Sequence, residues 1–282
     1  MPSPDFIAHR QGKSRLILSL PHTGTELPAD IADRYTSPWQ ARADTDWWLE
    51  HLYDFAEAQD ITIIRTRISR SVIDVNRDPS GASLYPGMAT TSLCPVLDFD
   101  GNPLYHPDTE PDEAEIDHRR TRYFEPYHDL LATEIARLRA LHPAIVLFDA
   151  HSIRSHIPRL FEGELPVCNI GTNNDASAAP ALTRSLAAAC AASPFSHVVN
   201  GRFKGGYITR HYGNPPDGIH AVQLELACRA YIDEPPPPIT PANWPPSYEP
   251  ARAAPIRTLL RRIIDLCLTH TLTESRDVQP PR

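Results

Sequence analysis

The chain has 282 residues, 41% of them hydrophobic and 22% charged, which is enough apolar material for a sizeable core and too much for a disordered chain. A formal net charge of -8 argues against nucleic acid or an anionic membrane as a partner, so an anionic ligand must be caught by local positive charge. No apolar run reaches the ~18 residues of a membrane span, and the opening MPSPDFIAHRQGKSR lacks the apolar centre of a secretion signal, so a cytoplasmic protein is expected.

Residues 16–20 (LILSL) form a short apolar run stopped by Pro21, the pattern of a buried strand opening onto PHTG. Asp44 or Thr45 is placed to cap a helix running through WWLEHLYDFAEAQ. A β-branched strand is expected at 61–67 (ITIIRTR), and the stretch SVIDVNRDP at 71–79 reads as a strand end on which Asp74 and Asn76 share a face. Residues 78–110 are long and turn-rich, as lids and binding loops often are. An amphipathic helical stretch at 112–141 ends before His142-Pro143. A buried strand follows at 144–148 (AIVLF) with DAHS at its end. Residues 180–192 are Ala-rich and helical, 221–226 (AVQLEL) strand-like, and 256–268 an amphipathic helix. The chain has thirty prolines, and the proline-rich segment at 234–250 suits an ordered surface connection before a C-terminal helix at about 251–270. Strands alternating with helices predict an α/β layered fold around a parallel or mixed sheet, with residues 1–282 as a single domain. The five cysteines, odd in number and without a CxxC pair, are read as buried thiols.

Polar groups gather where these strands end: His22, the Asp74-Asn76-Arg77 trio, Asp149-His151-Ser152, and Glu225. In open α/β sheets the site lies at the carboxyl ends of the strands, so groups distant in sequence can meet there. His22 and His151 with one acidic ligand would make an open zinc site, and both Asp44 and Glu26 are candidates for the acid. Asp149 suits a carboxylate that fixes the tautomer of His151. Glu225 inside VQLEL is either a buried carboxylate able to take a proton from water or the outward residue of an edge strand. Arg77 offers a planar fork for a carboxylate, with Arg70 close before it. The segment GRFKGGYITRHYG combines paired glycines with Arg202, Lys204 and Arg210, an arrangement suited to anions. Ser152 is a poor nucleophile candidate because DAHS lacks the GxSxG elbow.

PHTGTELP, DTDW, SRSVIDVNRDPSGASLYPG, TTSLCP, RYFEPYH, LFDAHSIRS, NIGTN and GRFKGGYITRHYG with AVQLELACRAY together resemble the N-formylglutamate deformylase (N-formylglutamate amidohydrolase) family over almost the whole chain. The DxNR block and the DxH after it are also similar to those of aspartoacylase and the zinc carboxypeptidases. The resemblance implies a three-layer αβα sandwich with a mixed, largely parallel central sheet, like that of zinc-dependent exopeptidases. It implies metal-dependent hydrolysis of N-formyl-L-glutamate to formate and L-glutamate, the last step of one histidine-degradation route, with a small anionic N-formyl amino acid as the partner. The cofactor implied is a divalent metal, Zn2+ in first place and Co2+ or Mn2+ as alternatives. By the resemblance His22 and His151 hold the metal and Asn76 and Arg77 bind a substrate carboxylate. Glu225 is then the general base, and Arg70, Arg154 or Arg210 takes the other carboxylate. HTGTE replaces the HxxE of the exopeptidases, and relatives carry Asp-Thr-Gly or Asp-Ile-Gly at the DTDW block, which favours Asp44 as third ligand. Val167-Cys168-Asn169 stands where the family has Asp-Phe-Asn, a departure that points to altered substrate choice.

Overall fold

The computed structural model describes the backbone of residues 4–83, 87 and 89–277, and side chains up to residue 270. Seven strands, β1 (Ile7–Arg10), β2 (Leu16–Leu20), β3 (Thr62–Thr66), β4 (Ile145–Ile153), β5 (Cys168–Gly171), β6 (His197–Val199) and β7 (Ile219–Ala227), join in one sheet. Their order is β1-β3-β2-β4-β7-β5-β6. The pairs β1/β3 and β5/β7 are antiparallel and the others parallel, which is the mixed, largely parallel sheet expected.

Side-chain alternation sorts the strands onto two cores. Leu16, Leu18, Val146, Phe148, Val222 and Leu224 face one side, where they pack on α3 (Leu49–Leu52), α6 (Pro180–Ala191) and α8 (Pro250–Asp277). Ile17, Ile145, Leu147 and Ala221 face the other, against α5 (Glu125–Leu141) and α7 (Tyr207–Tyr212). A three-layer αβα sandwich results. The short helices α1 (Ala29–Ala32) and α2 (Gln40–Ala43) lie in the β2–β3 connection, and α4 (Glu113–Arg119) leads through a π turn at Arg120–Phe124 into α5. Asp112 caps α4 by accepting from Glu115 N at 2.9 Å. The central strands β4 and β7 are buried on both faces almost throughout, so β4 continues past the apolar run and carries DAHS inside the sheet.

Two local expectations are corrected. The helix expected through 44–59 is broken: α3 is entered through Trp48 in the left-handed region (φ 66°) and followed by a tight 3-10 turn at Asp54–Gln59. Tertiary bonds outweigh helix propensity here, since Asp46 N donates to His22 O at 3.0 Å and Trp48 Nε1 to Pro246 O at 3.0 Å. Residues 71–79 form turns rather than a strand end, so parity does not bring Asp74 and Asn76 together. The Asp74 carboxylate does so by accepting from Asn76 N at 2.9 Å, an Asx-type bond.

His128 joins α5 to the segment beneath the site: Nε2 donates to Val75 O at 2.8 Å, and Nδ1 lies 2.9 Å from Tyr212 Oη. Burial lowers its pKa from 6.5 to about 4. Between those values the unfolded chain takes up a proton that the folded chain refuses, so stability is complete above pH 6.5 and falls as the pH drops toward 4. The loss is about 3 kcal/mol by the time pH 4 is reached. Urea unfolding of wild type and His128→Phe at pH 7 and pH 4 is expected to show a smaller acid loss in the variant by about that amount; equal losses in both would refute it.

Candidate metal centre and substrate pocket

The parallel register of β4 and β7 sets His151 opposite Glu225 and Asp149 opposite Gln223. All four continue the parity of Ile145, Leu147 and Ala221, so they emerge on the α5/α7 side, as Ser19 confirms by bridging Asp149 (2.9 Å) and Tyr127 of α5 (3.1 Å). Pro21 stops the β2 ladder because it has no N–H, and His22 follows at that strand's carboxyl end. The loop at 69–77 supplies Arg70, Asp74, Asn76 and Arg77.

Each histidine is held by a carboxylate. His22 Nε2 lies 2.7 Å from Asp74 Oδ1, and His151 Nε2 lies 2.9 Å from Asp149 Oδ2. Carboxylate partners assign the ring protons to Nε2, which leaves both Nδ1 lone pairs facing inward. They are 3.1 Å apart, with Asp46 Oδ2 at 3.1 Å from His151 Nδ1 and 3.7 Å from His22 Nδ1. Asp46 Oδ1 is buried without a hydrogen-bond partner among the described residues; Arg70 Nη1 stands 3.7 Å away. Two lone pairs and a carboxylate so close repel one another unless a cation lies among them. Two imidazole nitrogens and one carboxylate oxygen, with the outer ring nitrogens fixed by acids, are a donor set that fits a divalent ion of the zinc class.

The surrounding electrostatics favour the same cation. Burial, assisted by the Arg70 charge, lowers the pKa of His22 and keeps it a neutral donor. Burial would lower His151 too, but Asp149 and Asp46 outweigh it and raise its pKa well above 6.5, so a positive charge is favoured between those acids. Burial would raise Asp74, yet His22, Arg70 and Arg77 hold it well below the ordinary carboxylate range. Glu225 is 7% exposed on a central strand, which removes the edge-strand alternative. Burial pushes its carboxyl up to about 8 against the opposing pull of His151.

His22, His151 and Glu225 line one pocket together with Arg70, Asn76 and Arg77. Arg70 is neutralised by Asp74 at 2.7 Å and packs over Phe99. Arg77 donates Nε to Thr91 O (3.1 Å) and Nη2 to Thr91 Oγ1 (2.9 Å). Asn76 gives an amide hydrogen to Asp149 (3.0 Å) and accepts from Ile208 N (2.8 Å), so much of its capacity is already used in holding the site.

Several expectations change. The carboxylate brought to both histidines is Asp46, not Asp44: Asp44 Oδ2 accepts from Phe99 N at 2.8 Å, and its Oδ1 faces Arg154 at 3.7 Å. Glu26 instead forms a backbone bridge to Ile68. The signal for Asp46 was the second aspartate of DTDW, and only the turn at 44–48 shows which aspartate reaches inward. Arg154 is committed to Asp100 through two bonds (3.1 and 2.8 Å), Arg210 Nε donates to Gly205 O (2.9 Å), and neither lines the pocket. Ser152 Oγ accepts from Tyr231 Oη at 2.8 Å on the opposite side of the sheet, which removes it as a nucleophile. Val167 and Cys168 pack into that same opposite core rather than the pocket. Gln223 was overlooked: its Oε1 accepts from Gly206 N (2.7 Å) and its Nε2 lies 3.5 Å from Glu225 Oε2. Its signal was the AVQLEL alternation, which puts Gln223 and Glu225 on one face.

Comparison with known proteins agrees with this architecture. Residues 14–232 match the family model described as N-formylglutamate amidohydrolase. The N-formylglutamate deformylase of Pseudomonas aeruginosa is 42% identical over 265 residues, 94% of this chain and 96% of that protein. That of Pseudomonas putida is 42% identical over 267 residues, 93% and 95% of the two chains. Among solved structures, the fold is similar to N-formylglutamate amidohydrolase from Ralstonia eutropha (TM-score 0.75, 21% identity, 96% of this chain and 99% of that one). It is also similar to a gene product of Agrobacterium tumefaciens (TM-score 0.64, 20% identity, 96% of each chain).

The paired glycines of GRFKGGYITRHYG have a steric role that the anion reading did not include. A Cβ on Gly206 would collide with the Asn76 side chain. Gly206→Ala is therefore expected to push Asn76 off Asp149 and to reduce formate release from N-formyl-L-glutamate at least about tenfold, since misplacement of about 1 Å can cost far more than that. Unchanged turnover in this variant would show that the contact is dispensable.

Proposed function

The chain belongs to the N-formylglutamate amidohydrolase family, and from that premise we propose that it hydrolyses N-formyl-L-glutamate to formate and L-glutamate with the help of a divalent metal. The observation that carries the metal dependence is the convergence of His22, His151 and Asp46, each histidine backed by a carboxylate, beside a buried glutamate. These three residues would hold the ion, with zinc the best match to the donor set and cobalt or manganese as alternatives. Bound there, it supplies Lewis acidity, which polarises an amide carbonyl and makes water more acidic.

The protein's own groups do the rest. Glu225, desolvated beside His151, is a stronger base than a carboxylate in water. It accepts a proton as water attacks the formyl carbon and returns it to the nitrogen as the C–N bond breaks. Arg77 clamps a substrate carboxylate with its fork, and Asn76 beside it offers its remaining amide hydrogen. Asp74 and Asp149 keep the two imidazoles oriented and neutral at Nδ1. As the family resemblance implies, the reaction would close a histidine-degradation route; a cytoplasmic location and a single catalytic domain are part of the same proposal. No helix among the described residues is long and apolar enough to cross a membrane.

Formate release from N-formyl-L-glutamate is expected to stop on chelation and return with zinc, cobalt or manganese; release that survives complete metal removal would reject the metal-dependent reading. Asp46→Ala is expected to lose bound metal by elemental analysis whereas Asp44→Asn retains it, and the reverse pattern would restore Asp44 as the ligand. Glu225→Gln is expected to keep the metal and lose ~10²–10⁴-fold in turnover. Full activity in that variant would remove Glu225 as the base.

A further inference from the structure

The RYFEPYH block sets two neighbouring side chains of α5 against the site, although α5 gives no side chain to the pocket. His128 holds Val75 O in the loop at 69–77, and Tyr127 reaches the sheet. Tyr127 Oη lies 3.1 Å from Ser19 Oγ, Ser19 Oγ donates to Asp149 Oδ1 at 2.9 Å, and Asp149 Oδ2 lies 2.9 Å from His151 Nε2. The register of β2 on β4 sets Ser19 directly opposite Asp149. A carboxylate offers only lone pairs, so the one hydroxyl hydrogen of Ser19 is committed to Asp149 and Tyr127 must donate to Ser19. Ser19 is the one hydrogen-bond partner of Tyr127 Oη among the described residues. Tyr127, Ser19, Asp149 and His151 are each at most 2% exposed, so water does not stand in for a missing donor. Asn76 and His151 share Oδ2 of Asp149, which leaves Ser19 as the hold on Oδ1 and on the rotation of the carboxylate.

We propose that Ser19 and Tyr127 are positioning residues for the metal centre: a chain of donors from Tyr127 through Ser19 holds the Asp149 carboxylate, which in turn keeps His151 Nδ1 directed at the ion. The inference rests on the reading of His22, Asp46 and His151 as a divalent-metal site and deepens it. Part of the affinity of that site is then set by α5, from outside both the pocket and the ligand set.

The test is zinc retention by the zinc-loaded protein against graded concentrations of a chromophoric chelator, with no substrate present. Ser19→Ala should weaken zinc affinity about tenfold and Asp149→Asn about a hundredfold, the range that loss of an outer partner of a metal ligand spans. Tyr127→Phe should weaken it about threefold, as loss of one neutral hydrogen bond does. Ser19→Ala added to Asp149→Asn should change affinity by less than about twofold, because Ser19 acts only through that carboxylate. Should Ser19→Ala not fold, Tyr127→Phe carries the same comparison from the far end of the chain of donors. Unchanged retention in the single variants would overturn the assignment, as would a loss equally large with and without Asp149→Asn, which would mark a general loosening of the fold. In both cases a wild type that holds zinc leaves the metal reading intact; a wild type that holds no zinc would overturn that reading and this inference with it.

Discussion

Three carboxylates, Asp46 in the turn at 44–48, Asp74 in the loop at 69–77 and Asp149 on β4, are withdrawn from water, and the site is organised by the need to balance them. Desolvating a carboxylate costs several kcal/mol unless hydrogen bonds and opposite charge compensate. Asp74 is compensated by His22, Arg70 and Asn76 N; Asp149 by Ser19, Asn76 and His151. Asp46 has the least support of its own, and its place between two inward Nδ1 atoms is where a cation is called for. The polar chemistry is therefore not an addition to a finished core, because removing one partner leaves another charge buried and unpaired.

The sheet makes this concentration possible. Strands β4 and β7 are covered on both sides, so their alternate residues divide between an apolar core under α6 and α8 and a second layer that changes from Ile145 and Leu147 to Asp149 and His151 along one strand. β7 makes the same change, from Ala221 to Gln223 and Glu225. Parallel pairing keeps the changes level, so the histidine and the proposed base are direct neighbours. Helix α7 closes the layer at close range, because Gly206 lets the chain approach Asn76.

The overall charge of -8 is no obstacle to an anionic substrate, because the pocket carries its own positive charge. Arg77 is directed by the carbonyl and hydroxyl oxygens of Thr91, with the Asp74 carboxylate 3.7 Å from its Nε. Arg154 and Arg70 are paired to aspartates and serve the architecture.

The sequence by itself determined the layered α/β class, the central strands, and the pairing of His22, His151 and Glu225 with strand ends. These follow from local periodicity and from Pro21, whose missing N–H ends a ladder wherever it falls. It also placed Asn76 and Arg77 beside the site, although by a strand parity that the turn at 71–79 does not have. Only the tertiary structure decided that Asp46 rather than Asp44 meets the histidines, that Arg154 and Arg210 lie outside the pocket, and that Gly206 serves close packing. Those outcomes depend on backbone turns fixed by distant partners, such as His22 O, Pro246 O and Asp100, and no local spacing encodes bonds to partners so far along the chain.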